Sequence, residues 1–194
     1  MIKQIDESIV FQVNEDVEEF TLDNNNIRVV VVDDFYKNPH MVRDLIMSIP
    51  VTKHTPLRGS GYLGSTIDIL YDMRGLSSHY WNYIKKYFVT EYTSSYISDY
   101  FNRYSFTVNI IQNSDVDSKP HIDDTGQFAS GIYLNTDEEC SGGTSFYNMS
   151  GEFIGTVDMK FNRMILYEQC VPHKAFLEEG TFIDNYRISQ QLFI

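Results

Sequence analysis

Cysteine is scarce: Cys140 and Cys170 are the two among 194 residues. That excludes a disulfide scaffold and a Cys-rich zinc site. The opening segment MIKQIDESIV carries no apolar signal-peptide core, so free thiols in a reducing, cytoplasmic setting are expected. Long hydrophobic runs are missing too. The longest, Val29–Val32, falls far short of the ~20 residues a membrane span needs. Basic residues are few, 15 Lys+Arg against 27 Asp+Glu for a net charge of −12. No basic stripe is available to neutralise a run of phosphates, and anionic lipid repels such a chain, so neither a nucleic-acid nor a membrane partner is expected. There is no GxSxG elbow to anchor a serine hydrolase. With no repeat and no Pro/Gly/Ser linker, the chain reads as one domain spanning 1–194.

What is present is material for a core. Apolar residues make up 42% of the chain and aromatics 14%, too many for a disordered polypeptide. Residues 1–100 read as mixed α/β support. The β-branched run in Ile27–Phe35 predicts a buried strand, and Asn38-Pro39 opens a helix through Ile49 with Pro39 in its first turn. Residues 50–65 read as a loop, and Ser65–Ile69 after it as strand-like. Tyr80, Tyr83, Ile84, Tyr87 and Phe88 recur at helical spacing, predicting one or two amphipathic helices between Leu76 and Tyr100. From residue 101 the texture changes to short β segments: YSFTVNIIQ, KPHID, ASGIYLN, TSFYN, FIGTVDM, RMILYE, PHKAFLE and YRISQQLFI. The expected fold is mainly β with flanking helices. Residues 101–194 would form a sandwich or barrel, most naturally a double-sheet jelly roll (a cupin-like double-stranded β-helix), with the helices buttressing one sheet.

Three motifs compete for attention and fail. Gly59-Ser60-Gly61-Tyr62-Leu63-Gly64 matches GxGxxG but has neither a strand before it nor a helix after it, so it reads as a flexible loop. Asp115, Asp117, Asp123 and Asp124 crowd as in a calcium loop, yet Lys119 and Pro120 stand where a ligand and a glycine are needed. Cys170, three positions before His173, reads as a small buried hydrophobe rather than a nucleophile.

His121-Ile122-Asp123 carries more. In an extended strand, residues i and i+2 share a face, so His121 and Asp123 can converge on one ion while Ile122 turns into the core and Asp124 faces away. A third donor must come from a later strand, and His173, after Pro172, fits. Two histidines and one carboxylate with an open side are the ligand set of non-haem Fe(II) oxygenases. In the last strand Arg187 and Ser189 share a face opposite Ile188 and Leu192. A guanidinium beside a hydroxyl suits a buried carboxylate, gripped bidentately.

The order HxD, then Tyr133-Leu134-Asn135 followed by Ser141-Gly142-Gly143 and Phe146, then Arg163–Tyr167 leading to Pro172-His173, then Arg187-Ile188-Ser189, resembles the 2-oxoglutarate- and Fe(II)-dependent dioxygenases. The prolyl-hydroxylase-like branch is the nearest, over residues 104–194, and Val31–Phe35 with Asn38-Pro39 looks like the opening strand and helix of some members. The resemblance implies that His121, Asp123 and His173 hold Fe(II). It implies that Arg187 and Ser189 hold the distal carboxylate of 2-oxoglutarate, with Tyr133 donating its hydroxyl to the same group. O2 is then the co-reactant, and the outcome is oxidative decarboxylation of 2-oxoglutarate coupled to substrate hydroxylation. Two departures stand out: the interval from His173 to Arg187 is long, implying a longer turn around Glu178 to Thr181, and FTVNIIQ lacks a tyrosine near the cosubstrate, where Asn109 or Gln112 could substitute.

The substrate class stays open between a protein side chain and a small molecule. The loop at 50–65, with His54, Arg58 and Tyr62, is a candidate lid. Two other readings stand beside the dioxygenase: a cupin-type metal-binding jelly roll with different chemistry or ligand binding alone, and an inactive interaction domain.

Overall fold

The computed structural model describes residues 7–24, 26–48, 65–69, 74–88, 106–111, 119–123, 127–182 and 185–193. The candidate lid with His54, Arg58 and Tyr62, the glycine motif, Gln112, Asp115, Asp117 and Asp124 lie outside them. In chain order the elements are α1 (Glu7–Val10), β1 (Glu18–Asn24), β2 (Ile27–Asp33), α2 (Pro39–Ser48), β3 (Ser65–Ile69), α3 (Arg74–Tyr87), β4 (Phe106–Ile111), β5 (Phe128–Tyr133), β6 (Gly143–Tyr147), β7 (Phe153–Asp158), β8 (Met164–Glu168), β9 (His173–Phe176) and β10 (Arg187–Phe193). Among the described residues the strands form two antiparallel sheets, a seven-stranded one in the order β1-β2-β8-β5-β10-β4-β3 and a three-stranded one in the order β7-β6-β9.

The two-residue period of a strand divides the core into two compartments. On one face of the large sheet, Val30, Val32, Phe128, Ile132, Met164, Leu166, Ile188 and Leu192 pack with Val42 and Ile46 of α2 and Leu76, Tyr80 and Ile84 of α3. On the other face, Val29, Val31, Ala129, Tyr133, Ile165 and Tyr167 pack with Phe146 of β6 and Ile154 and Val157 of β7. The large sheet is therefore covered by helices on one side and by the small sheet on the other. This explains why β2 reads as an unbroken apolar run rather than an alternation: Val29 through Val32 are all fully buried, and both faces are covered.

Several polar groups taken into these layers are paired with one another. Tyr36 donates its hydroxyl to Gln190 Oε1 at 3.0 Å, and Ser130 donates to the Tyr80 hydroxyl at 3.0 Å. At the end of β2, Asp33 receives Arg163 Nε at 2.6 Å, Arg163 Nη2 at 2.9 Å and Lys160 Nζ at 2.8 Å. Burial raises the pKa of this carboxyl, but the Arg163 and Lys160 hydrogen bonds and charges outweigh it and hold the group below the ordinary carboxylate range.

The Ser141-Gly142-Gly143 motif has a steric cause. Gly142 sits at φ 69°, and a Cβ there would lie 2.1 Å from the Phe176 carbonyl oxygen, while one on Gly143 would lie 2.1 Å from that of Val157. Only bare backbone lets β6 enter between β7 and β9. Gly142→Ala is expected to cost ~1–3 kcal/mol from its backbone conformation alone, with the displacement of β9 added, as read by chemical denaturation.

Several expectations differ in detail. KPHID forms a single bridge at His121 rather than a strand. Ile122, expected inside, is 43% exposed, in a segment joined to β9 by that single bridge rather than seated in a sheet. Helix α3 carries Tyr80, Tyr83, Ile84 and Tyr87 as expected, and residues 89–100 of the expected helical stretch lie outside the described residues. The polar strand β1, which gave no sequence signal, pairs with β2 over its whole length.

Candidate metal centre

His173 opens β9, opposite Phe146 of β6. Its other backbone edge pairs with His121: each residue donates its N–H to the carbonyl of the other at 2.9 Å. Two residues on, Asp123 turns its carboxylate between the rings, with Oδ2 3.3 Å from His173 Nε2 and Oδ1 3.8 Å from His121 Nε2. The ligand atoms of His121, Asp123 and His173 lie within 4.8 Å of one another, so the three could hold a metal ion.

The imidazoles are oriented in the same way. His173 Nδ1 lies 2.9 Å from the Val171 carbonyl, and His121 Nδ1 lies 3.4 Å from that of Lys119. An Nδ1–H donated to a carbonyl leaves the Nε2 lone pair facing the carboxylate, the arrangement in which histidine binds metals. The His173 ring stands edge-on to Tyr167 with centroids 4.9 Å apart, and Phe146 lies 6.5 Å away. Burial among these rings lowers the His173 pKa despite the opposing pull of Asp123, which favours the neutral, metal-binding form.

Further along the same inter-sheet layer lies Arg187, only 3% exposed. Its Nη1 donates to Ser189 Oγ at 3.2 Å, its Nη2 to the Gly143 carbonyl at 3.5 Å, and its guanidinium stands 5.4 Å from the Tyr133 ring centre. Arg187 Nε has no hydrogen-bond partner, and no carboxylate among the described residues forms an ion pair with the side chain. A buried, uncompensated guanidinium is costly, and an anionic ligand would relieve that cost. The Tyr133 hydroxyl meets Thr144 Oγ1 at 2.7 Å. Burial raises its pKa against the opposing effects of Arg187 and Thr144, so the phenol keeps its proton.

The sequence-predicted residues thus separate into two clusters, His121, Asp123 and His173 in one and Arg187, Ser189 and Tyr133 in the other. Asn109 pairs with Ser189 across β4 and β10. Asn135, which follows Tyr133-Leu134 in the sequence, is fully buried, its carboxamide bonded to the backbone on both sides of Arg187. The reading of Cys170 is corrected: it is exposed in the turn after β8, where Val171 occupies the buried position. Cys140 is half-buried, and burial together with Asp137 and Glu139 pushes its thiol up to about 11. An alkylating reagent at neutral pH is therefore expected to label Cys170 well before Cys140, as peptide mass mapping would show.

Among the described residues, no helix is long and apolar enough to cross a membrane. No curated protein matches the chain. Among solved structures it is similar to the crystal structure of a "Putative oxygenase" from Shewanella oneidensis, 14% identical over 94% of this chain and 68% of that one, with a TM-score of 0.43. A likeness at that level carries no argument about activity. A family model matches residues 14–152, a span that holds His121, Asp123 and Tyr133 and stops before His173 and Arg187. The chain belongs to that family, the family of unknown function DUF6445.

Proposed function

We propose that this protein is a non-haem Fe(II)- and 2-oxoglutarate-dependent dioxygenase on a double-stranded β-helix core. The observation that carries the reading is a two-His, one-carboxylate cluster sharing a layer with a buried guanidinium whose Nε has no hydrogen-bond partner and which forms no ion pair with a carboxylate among the described residues. In it His121, Asp123 and His173 are the iron ligands, and Arg187, Ser189 and Tyr133 receive the distal carboxylate of 2-oxoglutarate.

The residues fit both groups. Two imidazoles and one carboxylate gathered on one side suit Fe(II) with open positions. Arg187 meets β6 at Gly143, and Gly143 pairs with Phe176, three positions along β9 from His173. Both clusters thus border the same β6–β9 pairing, which lets one dicarboxylate be addressed by both.

When bound, Fe(II) and 2-oxoglutarate supply the chemistry: O2 is reduced while 2-oxoglutarate is decarboxylated to succinate and a substrate C–H bond is oxidised. The chain orients and insulates. The Val171 and Lys119 carbonyls hold the imidazoles in the ligating tautomer, Tyr167 and Phe146 wall His173 from water, and Arg187 with the protonated Tyr133 fixes the cosubstrate's far end. No side chain is asked to act as acid or base on the substrate. That substrate is a protein side chain or a small molecule, and the net charge of −12 argues against nucleic acid.

The test is anaerobic titration of the purified protein with Fe(II) and then 2-oxoglutarate, following the visible metal-to-ligand charge-transfer band. A band that disappears in Arg187→Ala supports the reading. Metal binding with no band overturns it in favour of a cupin-type metal protein, and failure to bind any divalent metal overturns it in favour of an interaction domain.

A further inference from the structure

The guanidinium of Arg187 is only as useful as its aim, and the backbone that aims it lacks regular sheet support on one side. The β5 to β10 ladder ends at Tyr133 opposite Ser189. Beyond it Leu134 donates its N–H to the Ile188 carbonyl at 3.0 Å, after which the chain leaves for the Asp137–Glu139 turn. Among the described residues no strand backbone remains on that side to meet the peptide groups flanking Arg187. The side chain of Asn135 takes their place. Its Oδ1 accepts the Ile188 N–H at 2.7 Å, and its Nδ2 donates to the Tyr186 carbonyl at 2.7 Å.

These two contacts lie on the two peptide planes that meet at the Arg187 Cα. Holding both planes fixes φ and ψ of the residue between them, and with them the direction in which Cβ leaves the backbone. We propose that Asn135 is the positioning residue for Arg187, its carboxamide setting the backbone so that the guanidinium enters the inter-sheet layer at the place a ligand carboxylate would occupy. The inference rests on the carboxylate-binding reading above and deepens it, giving a role to a residue that touches neither metal nor ligand.

A structural cap would also explain a buried, satisfied carboxamide, so the test must separate capping from aiming. Mn(II)-loaded protein is titrated with 2-oxoglutarate in wild type, Asn135→Ala, Arg187→Lys and the double variant, with Mn(II) affinity measured alongside. The expected result is a Kd for 2-oxoglutarate raised at least ~10-fold in Asn135→Ala, the scale seen when groups that orient a ligating side chain are removed. Mn(II) affinity should stay within about twofold, and Asn135→Ala should add little in the Arg187→Lys background. Unchanged affinity, or a loss that simply adds to that of Arg187→Lys, overturns the proposal.

If Asn135→Ala does not fold, Asn135→Asp, which keeps the acceptor and removes the donor, replaces it in the same scheme. The Nε–H resonance of Arg187 is read in parallel. If wild type binds no dicarboxylate, the dioxygenase reading fails by itself and this resonance decides alone. A sharp signal in wild type that broadens or moves in the Asn135 variant upholds the aiming role, and an identical signal in both overturns it.

Discussion

Asp123→Ala is expected to abolish divalent-metal binding at the His121, Asp123 and His173 cluster in a protein that stays folded. The carboxylate reaches toward both imidazoles, 3.3 Å from one and 3.8 Å from the other, and it is the one acidic member of the cluster. Without it, two neutral nitrogens face a divalent cation with no compensating charge, and one corner of the ligand face opens to water. Removing groups that merely orient metal ligands costs ~10–100-fold in affinity, so removing a ligand should exceed about 100-fold. Stability should change little by comparison, because Asp123 lies outside the regular strands and the two histidines are tied by their own backbone bonds. Mn(II) binding followed by electron paramagnetic resonance, with circular dichroism as the folding control, reads both quantities. Wild-type affinity in the variant would remove Asp123 from the ligand set.

The second large effect concerns folding. Asp33→Asn is expected to destabilise the protein by ~3–5 kcal/mol, the scale for removing one partner of a buried ion pair and leaving the other uncompensated. Asp33 and Arg163 have side chains only 5% and 14% exposed, so Arg163 cannot turn to water without giving up its packing. Lys160 is 43% exposed and recovers solvation easily, so most of the loss belongs to Arg163. The folded-state pKa of Asp33 is depressed. Its contribution is therefore fully present above the unfolded value of about 4 and is lost as pH falls through the folded one. Urea denaturation from pH 7 down to acid should show wild type converging toward Asp33→Asn as the carboxyl protonates. A gap that persists unchanged into acid would contradict the assignment.

Much of this was legible in the chain, and the reasons for the exceptions are physical. The valines of β2 and the apolar segments of β5, β8 and β10 announced themselves by composition, and both strand faces found cover. The pairing of His121 with Asp123 followed from two-residue spacing, although the segment is held by one bridge rather than a ladder. Strand β1 was invisible because it lies at a sheet edge with half-exposed polar residues, so no hydrophobic pattern was required of it. Cys170 was misplaced because a turn can expose a residue that composition alone would bury. Asp33 and Arg163 belong to separate sequence motifs, Val31–Phe35 and Arg163–Tyr167. That they neutralise each other inside the protein depends on a contact across 130 positions, which local spacing cannot reveal.

The four buried valines of β2 also carry a consequence for synthesis. Apart from β1, the strand's sole neighbour in its sheet is β8, with Val32 opposite Met164 and Val29 opposite Tyr167. On a ribosome adding about 5–20 residues per second, the β1–β2 hairpin therefore waits roughly 7–26 s for its partner. During that interval it offers an unpaired edge with four consecutive valines, the kind of surface that recruits other nascent chains. The same residues that make the finished sheet insensitive to water make the unfinished one dependent on dilution or on a chaperone.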